Sequence, residues 1–173
     1  MNKAVFCIAK DIGQTEIIVN NLKAAGFSSN DISVLLPDKN TTKDFAYEKH
    51  TKAPEGTAIG GTVGLGIGAA LGWLVGIGSL AIPGVGPFIA AGPIMAALSG
   101  AAVGAATGGL TGALIGVGIP EYEAKRYEGK IKGGCVLISV HAANSKALDQ
   151  AKEIFEQAKA EDISSTEESS VAA

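Results

Sequence analysis

The sequence predicts an α+β fold: a split βαβ-βαβ sheet domain interrupted by a long two-helix hairpin. Three observations carry this. Short apolar runs alternate with amphipathic helical stretches at both ends of the 173-residue chain. Between them, Gly56 to Pro120 holds no charged residue and no histidine. Within that interval, glycine recurs at four-residue spacing along two separate arms, with Ala96 filling one place.

Taken in order, residues 1–37 form the first βαβ half. Ala4–Ala9 is wholly apolar, as a central strand covered by helices requires. Asp11 followed by Gln14 makes a capping box. Ile18, Leu22 and Ala25 then recur at helical spacing, and Gly26 stands where a left-handed C-terminal residue belongs. Asp31–Leu36 alternates as a second strand, which Pro37 ends. Residues 38–55 are polar and mixed in charge and read as a linker, with Lys43, Lys49, His50 and Lys52 close to the hairpin.

Residues 56–119 form the hairpin, with arms 56–82 and 88–119 split by Pro83 and Pro87. A membrane-spanning helix takes about 20 apolar residues, and each arm exceeds that. In the first arm the spacing sets Gly56, Gly60, Gly64, Gly68, Gly72 and Gly76 on one helical face. In the second, Gly92, Ala96, Gly100, Gly104, Gly108, Gly112 and Gly116 repeat it. Bare faces let two backbones approach closely, the usual basis of helix contact in lipid. These thirteen positions are the candidate helix-packing residues. Ile59, Val63, Ile67, Leu71 and Val75 form a bulky row beside the first stripe. A soluble oligomer that buries the hairpin is the alternative setting, because many Gly and Ala make insertion only mildly favourable.

Residues 120–165 form a helix and the second βαβ half. Pro120-Glu121-Tyr122-Glu123 starts the helix with proline in the first turn and acids at the positive dipole end, and Gly133-Gly134 closes it. Glu121 and Lys125 are spaced for a surface pair. Tyr122 and Tyr127 suit either a headgroup layer or packing on the sheet. Cys135–Ala142 is a third strand, Asn144 an N-cap, and Leu148, Ala151, Phe155 and Ala158 a helical stripe. Asp162–Ser164 is a short edge strand, and residues 166–173 a polar tail expected to be disordered. Joined across the hairpin, the outer pieces spell the ferredoxin-like pattern. Because a hairpin returns to the side it left, both halves share one compartment. The basic flanks assign that side to the cytoplasm.

Composition excludes several classes. The formal charge is −3 and falls on the residues after Pro120, with no basic patch suited to nucleic acid. Cys7 and Cys135 lack a CxxC or a Cys/His cluster, so no metal site is expected. In neighbouring strands they are buried reduced thiols or, alternatively, a redox pair. His50 reads as a solvated linker side chain and His141 as a hydrogen-bonded structural residue. Gly64-Leu-Gly66-Ile-Gly68 lacks the flanking strand and Lys-Ser/Thr of a phosphate loop. Trp73 lies mid-arm. No catalytic residue and no cofactor is expected, and the first residues do not read as a signal peptide.

The order strand–helix–strand, glycine hairpin and then Gly118–Ala142 (GIPEYEAKRYEGKIKGGCVLISVHA) resembles bacterial heat-induced general stress proteins of the YflT type. The resemblance is weak over Met1–Leu36 and firmer over Gly118–Ser165. It implies a bacterial membrane-associated stress protein and supplies no catalytic residues. The expected function is therefore non-enzymatic: a protein of the bacterial cytoplasmic membrane with both termini in the cytoplasm. Its partners are the lipid bilayer and further copies of itself, through the glycine faces. A sensory or regulatory subunit binding a small ligand or partner protein is the second expectation, and a pore-forming glycine-rich protein the third.

Overall fold

The computed structural model describes residues 3–37, 78–82, 86–94 and 102–167. The elements run β1 (Lys3–Ala9), α1 (Ile12–Ala24), β2 (Ile32–Pro37), β3 (Gly78–Ile82) and β4 (Gly86–Ala91). They continue with α2 (Ala102–Gly116), α3 (Glu121–Lys132), β5 (Val136–Ala142), α4 (Ser145–Gln157) and β6 (Glu161–Glu167). The six strands form one sheet in the order β3-β4-β2-β5-β1-β6, and every neighbouring pair is antiparallel. The fold class is α+β, as the sequence predicts.

Helices cover both faces of this sheet. On one, α1 and α4 press Ile18, Leu22, Ala151 and Phe155 onto Val5, Cys7, Val34 and Ile138. On the other, α2 and α3 press Leu110, Leu114, Tyr127 and Ile131 onto Phe6, Leu35, Phe88 and Leu137. Antiparallel strands usually show water one face and so alternate in polarity. Here both faces are dry, which accounts for the unbroken apolar run Ala4–Ala9 in β1 and for a β5 buried along almost its whole length, Ser139 included. The turns from β1 to α1 and from β5 to α4 are capped as expected. Gln14 N donates to Asp11 Oδ1 at 2.8 Å, and Gln14 Oε1 accepts from Lys10 N at 2.7 Å. Ala147 N donates to Asn144 Oδ1 at 2.8 Å.

The uncharged stretch departs from expectation. Residues 78–82 and 86–91 are strands, not the facing ends of two helical arms, and β4 pairs with β2 from Val34↔Ala91 to Pro37↔Phe88. Prolines account for this. Pro83, Pro87 and Pro93 each disfavour helical backbone in the residue before them, and Pro93 would sit inside the second arm, where proline costs about 3 kcal/mol. Three prolines in so short a run leave extended backbone as the available state.

A further break falls at Gly109, whose φ of 60° and ψ of −146° interrupt α2. Among the described residues no helix is long and apolar enough to cross a membrane. The first arm up to Ile77, the linker and Trp73 lie outside the described residues. At the other end, β6 extends to Glu167, so the first two residues assigned to the tail belong to the sheet.

Candidate functional site

The glycine face is the first candidate. Gly56, Gly60, Gly64, Gly68, Gly72, Gly76, Ala96 and Gly100 lie outside the described residues. Gly104, Gly108, Gly112 and Gly116 all fall in α2. In its second half, Leu110, Ala113 and Leu114 are buried against the sheet, while Gly116 and Ile115 are exposed and Gly112 is half-buried. The glycine side of this half therefore points away from the core.

Gly92 plays a different part from the one its spacing predicts. It follows β4 in a turn at φ +83°, and a Cβ there would stand 2.1 Å from the Ile32 carbonyl oxygen. Glycine is required by this close approach to β2 rather than by a helix contact. The same turn is held by Ile94 N, which donates to the buried Ser33 Oγ at 3.1 Å.

The break at Gly109 is closed by a residue that the sequence reading passed over. Glu128, on α3, accepts from Thr111 N at 2.8 Å through Oε2 and also from the Thr111 hydroxyl. Its other oxygen pairs with Lys132 at 2.5 Å. A carboxylate at a helix N-terminus satisfies orphan amides and meets the positive end of the dipole. Burial alone would push the Glu128 carboxyl up, but the bonds from Lys132 and Thr111 together outweigh it and hold the group below the usual range.

A polar cluster joins α3 to β6 on the same side of the sheet. The β1–β6 register shifts between Phe6↔Ser164 and Ile8↔Glu161. The extra β6 residue this leaves is a bulge near Asp162, whose φ is 48°. The bulge aims Asp162 at α3, where Arg126 lies 3.0 Å from Oδ1. Asp162 Oδ2 is shut off from solvent and has no directed hydrogen bond, yet the Lys130 ammonium is 2.9 Å away, so its charge is matched. Lys130 also pairs with Glu161, which Lys10 contacts at 3.3 Å. The Lys130 and Lys10 bonds hold the Glu161 carboxyl below its usual range.

Beneath this cluster Tyr127 is buried against Phe6, its ring centroid 6.5 Å away. Its hydroxyl lies 3.0 Å from the Asp162 carbonyl and 2.6 Å from Ser164 Oγ, which donates to Glu123 at 2.8 Å. Burial pushes the phenol well above its ordinary range, with Glu123 and Asp162 adding to it and the Ser164 bond opposing. A phenol held protonated and bonded in place fastens α3 to β6 and is poorly suited to proton transfer at neutral pH. Tyr122 by contrast is exposed and stacks on Arg126, 4.8 Å from the ring centroid. Glu121 and Lys125 pair at 2.7 Å, as their spacing predicts.

The two cysteines do not meet. Cys7 stands opposite Ile138 across the β1–β5 ladder, and its thiol lies in the core under α1 and α4. Cys135 precedes β5 and packs with the α2–α3 side. Opposite faces and separate rungs rule out the redox pair, and both thiols are free. His141 sits at the end of β5, where its backbone N–H donates to the Asp31 carbonyl at 2.8 Å. Among the described residues no three His, Cys, Asp or Glu side chains gather as metal ligands. No family model, curated protein or solved structure matches the chain.

Proposed function

We propose that this chain is a non-enzymatic, membrane-associated protein that self-associates through glycine-lined helix faces and carries a ferredoxin-like domain. The observation that carries the reading is the division of the second half of α2. Its bulky residues Leu110 and Leu114 are committed to the core, while Gly116 is exposed and Gly112 half-buried. A bare outward strip on an uncharged helix suits close backbone contact with another helix. The ferredoxin-like reading is supported by the order β2-β5-β1-β6, with α1 and α4 together on one face.

The bilayer enters through the uncharged residues alone. The chain leaves β2 at Pro37 and rejoins the same sheet at Gly78. Its uncharged part, Gly56–Ile77, is only about as long as the ~20 residues of a single span. Membership of the YflT-type stress proteins and attachment to the bacterial cytoplasmic membrane, with both termini on the cytoplasmic side, belong to the same proposal.

The test uses the full chain reconstituted with vesicles of bacterial lipid. After carbonate washing the protein should remain with the pellet, and chemical crosslinking should yield oligomers. Gly64→Leu combined with Gly112→Leu should abolish the oligomers without lowering the melting temperature. Release into the supernatant would overturn membrane attachment, and undiminished crosslinking would overturn the glycine-face contact.

A further inference from the structure

Helix α2 contains one backbone amide with two mutually exclusive ways of being satisfied. Gly109 interrupts the helix at φ 60°, ψ −146°, a region that glycine alone occupies readily. With the path broken there, Thr111 N–H donates to the Glu128 carboxylate at 2.8 Å. In an unbroken helix that same N–H would bond the carbonyl of Thr107, four residues back. Gly109 can adopt either backbone state, since it pays no Cβ penalty in one and is merely a poor helix former in the other.

We propose that the break is a conformational switch: Glu128 holds α2 bent, and loss of its bond to Thr111 lets Ala102–Gly116 straighten into a single helix. The consequence concerns the glycines. In the bent form the two halves of α2 follow different axes, so Gly104 and Gly108 do not continue the line of Gly112 and Gly116. Straightening brings the four onto one face at a four-residue repeat. This inference rests on the reading of that face as the contact surface and supplies its regulation. A partner helix that requires the continuous face binds only the straight form and draws the equilibrium toward it. Lys132, 2.5 Å from the second Glu128 oxygen, is a positioning residue that keeps the carboxylate on Thr111.

Two variants act on the switch from different sides. Gly109→Ala makes the bent backbone strained and the helical one easier, which should raise the straight-to-bent ratio on the order of a hundredfold. Glu128→Ala removes the cap and should raise it about fivefold. Hydrogen exchange of the full chain, followed by mass spectrometry, should then show slowed exchange over Leu110–Ala113 in both variants. Sedimentation in detergent micelles should show tighter self-association, Gly109→Ala exceeding Glu128→Ala. Should Glu128→Ala fail to fold, Thr111→Val removes the hydroxyl bond alone and should move both readouts the same way by less. Exchange over Leu110–Ala113 at the wild-type rate or faster in every folded variant overturns the switch. Slowed exchange with unaltered sedimentation overturns the glycine-face reading while leaving the two helix states standing.

Discussion

The two faces of the sheet differ most between the pair α1 and α4 on one and α2 on the other. On one, α1 and α4 each follow a strand directly and begin at a side-chain cap, and α4 divides polar from apolar residues along its length. On the other, α2 comes from a stretch without a single charge, is broken at Gly109, and is capped by a residue from a different helix. Both faces are equally dry: Phe155 and Leu114 are fully buried. An amphipathic helix states in its sequence which side is inward. A helix that is apolar all round does not, and the same absence of charge suits lipid and a protein core alike.

That comparison breaks most sharply at Gly92, the turn that brings the chain from β4 toward the α2 face. Gly92→Ala forces a Cβ to within 2.1 Å of the Ile32 carbonyl oxygen at a φ of +83°, so backbone must move. We expect a loss of roughly 4 kcal/mol or more, measured as the urea midpoint by circular dichroism. If the variant melted with the wild type, β4 would not lie against β2. The helical-arm assignment of Gly92 would then be the better one.

The next largest effect sets one face against the other. Phe155→Ala should cost about 3–5 kcal/mol and Leu114→Ala about 2–5 kcal/mol, both in detergent-free buffer. A Leu114→Ala protein as stable as wild type would mean that the α2 face assembles only when lipid or another copy covers it. Comparable losses would show that the uncharged stretch belongs to the water-folded core.

The residues explain why one half was legible and the other not. Asp11 and Asn144 cap the helices they were expected to cap, and β1, β2 and β5 fall within one or two residues of their apolar runs. These elements obey local rules, so local reading finds them. The β3–β4 hairpin was signalled by Pro83, Pro87 and Pro93, but charge-free hydrophobicity and the fourfold glycine repeat spoke louder. Gly109 could have been noticed as the second of an adjacent Gly108-Gly109 pair, which a strict four-residue repeat does not need. Glu128 gave no such sign. Its role depends on where α3 packs against α2, which is a tertiary fact.

The smallest expected effect places one titrating group on each face. Cys7 lies under α1 and α4, while Tyr127 points from α3 into the core on the α2 side, and burial raises both above their ordinary ranges. A group whose folded-state value is raised keeps its proton longer in the native chain than in the unfolded one. Its stabilising contribution is therefore complete below the unfolded value and declines as pH rises past it. Unfolded thiols titrate near about 8.5 and phenols near about 10. Stability should fall first as pH passes the thiol range, then more steeply beyond the phenol range, each group adding a slope of about 1.4 kcal/mol per pH unit. Other side chains titrate in the same window, so the informative quantity is the difference between each variant and the wild type. Under reducing conditions, Cys7→Ala should flatten the first decline and Tyr127→Phe the second, read from urea midpoints between pH 8 and 11. A Tyr127→Phe curve that runs parallel to wild type while Cys7→Ala flattens would mean that only the α1–α4 face is dry in solution, because a phenol open to water ionises alike in the folded and unfolded chain.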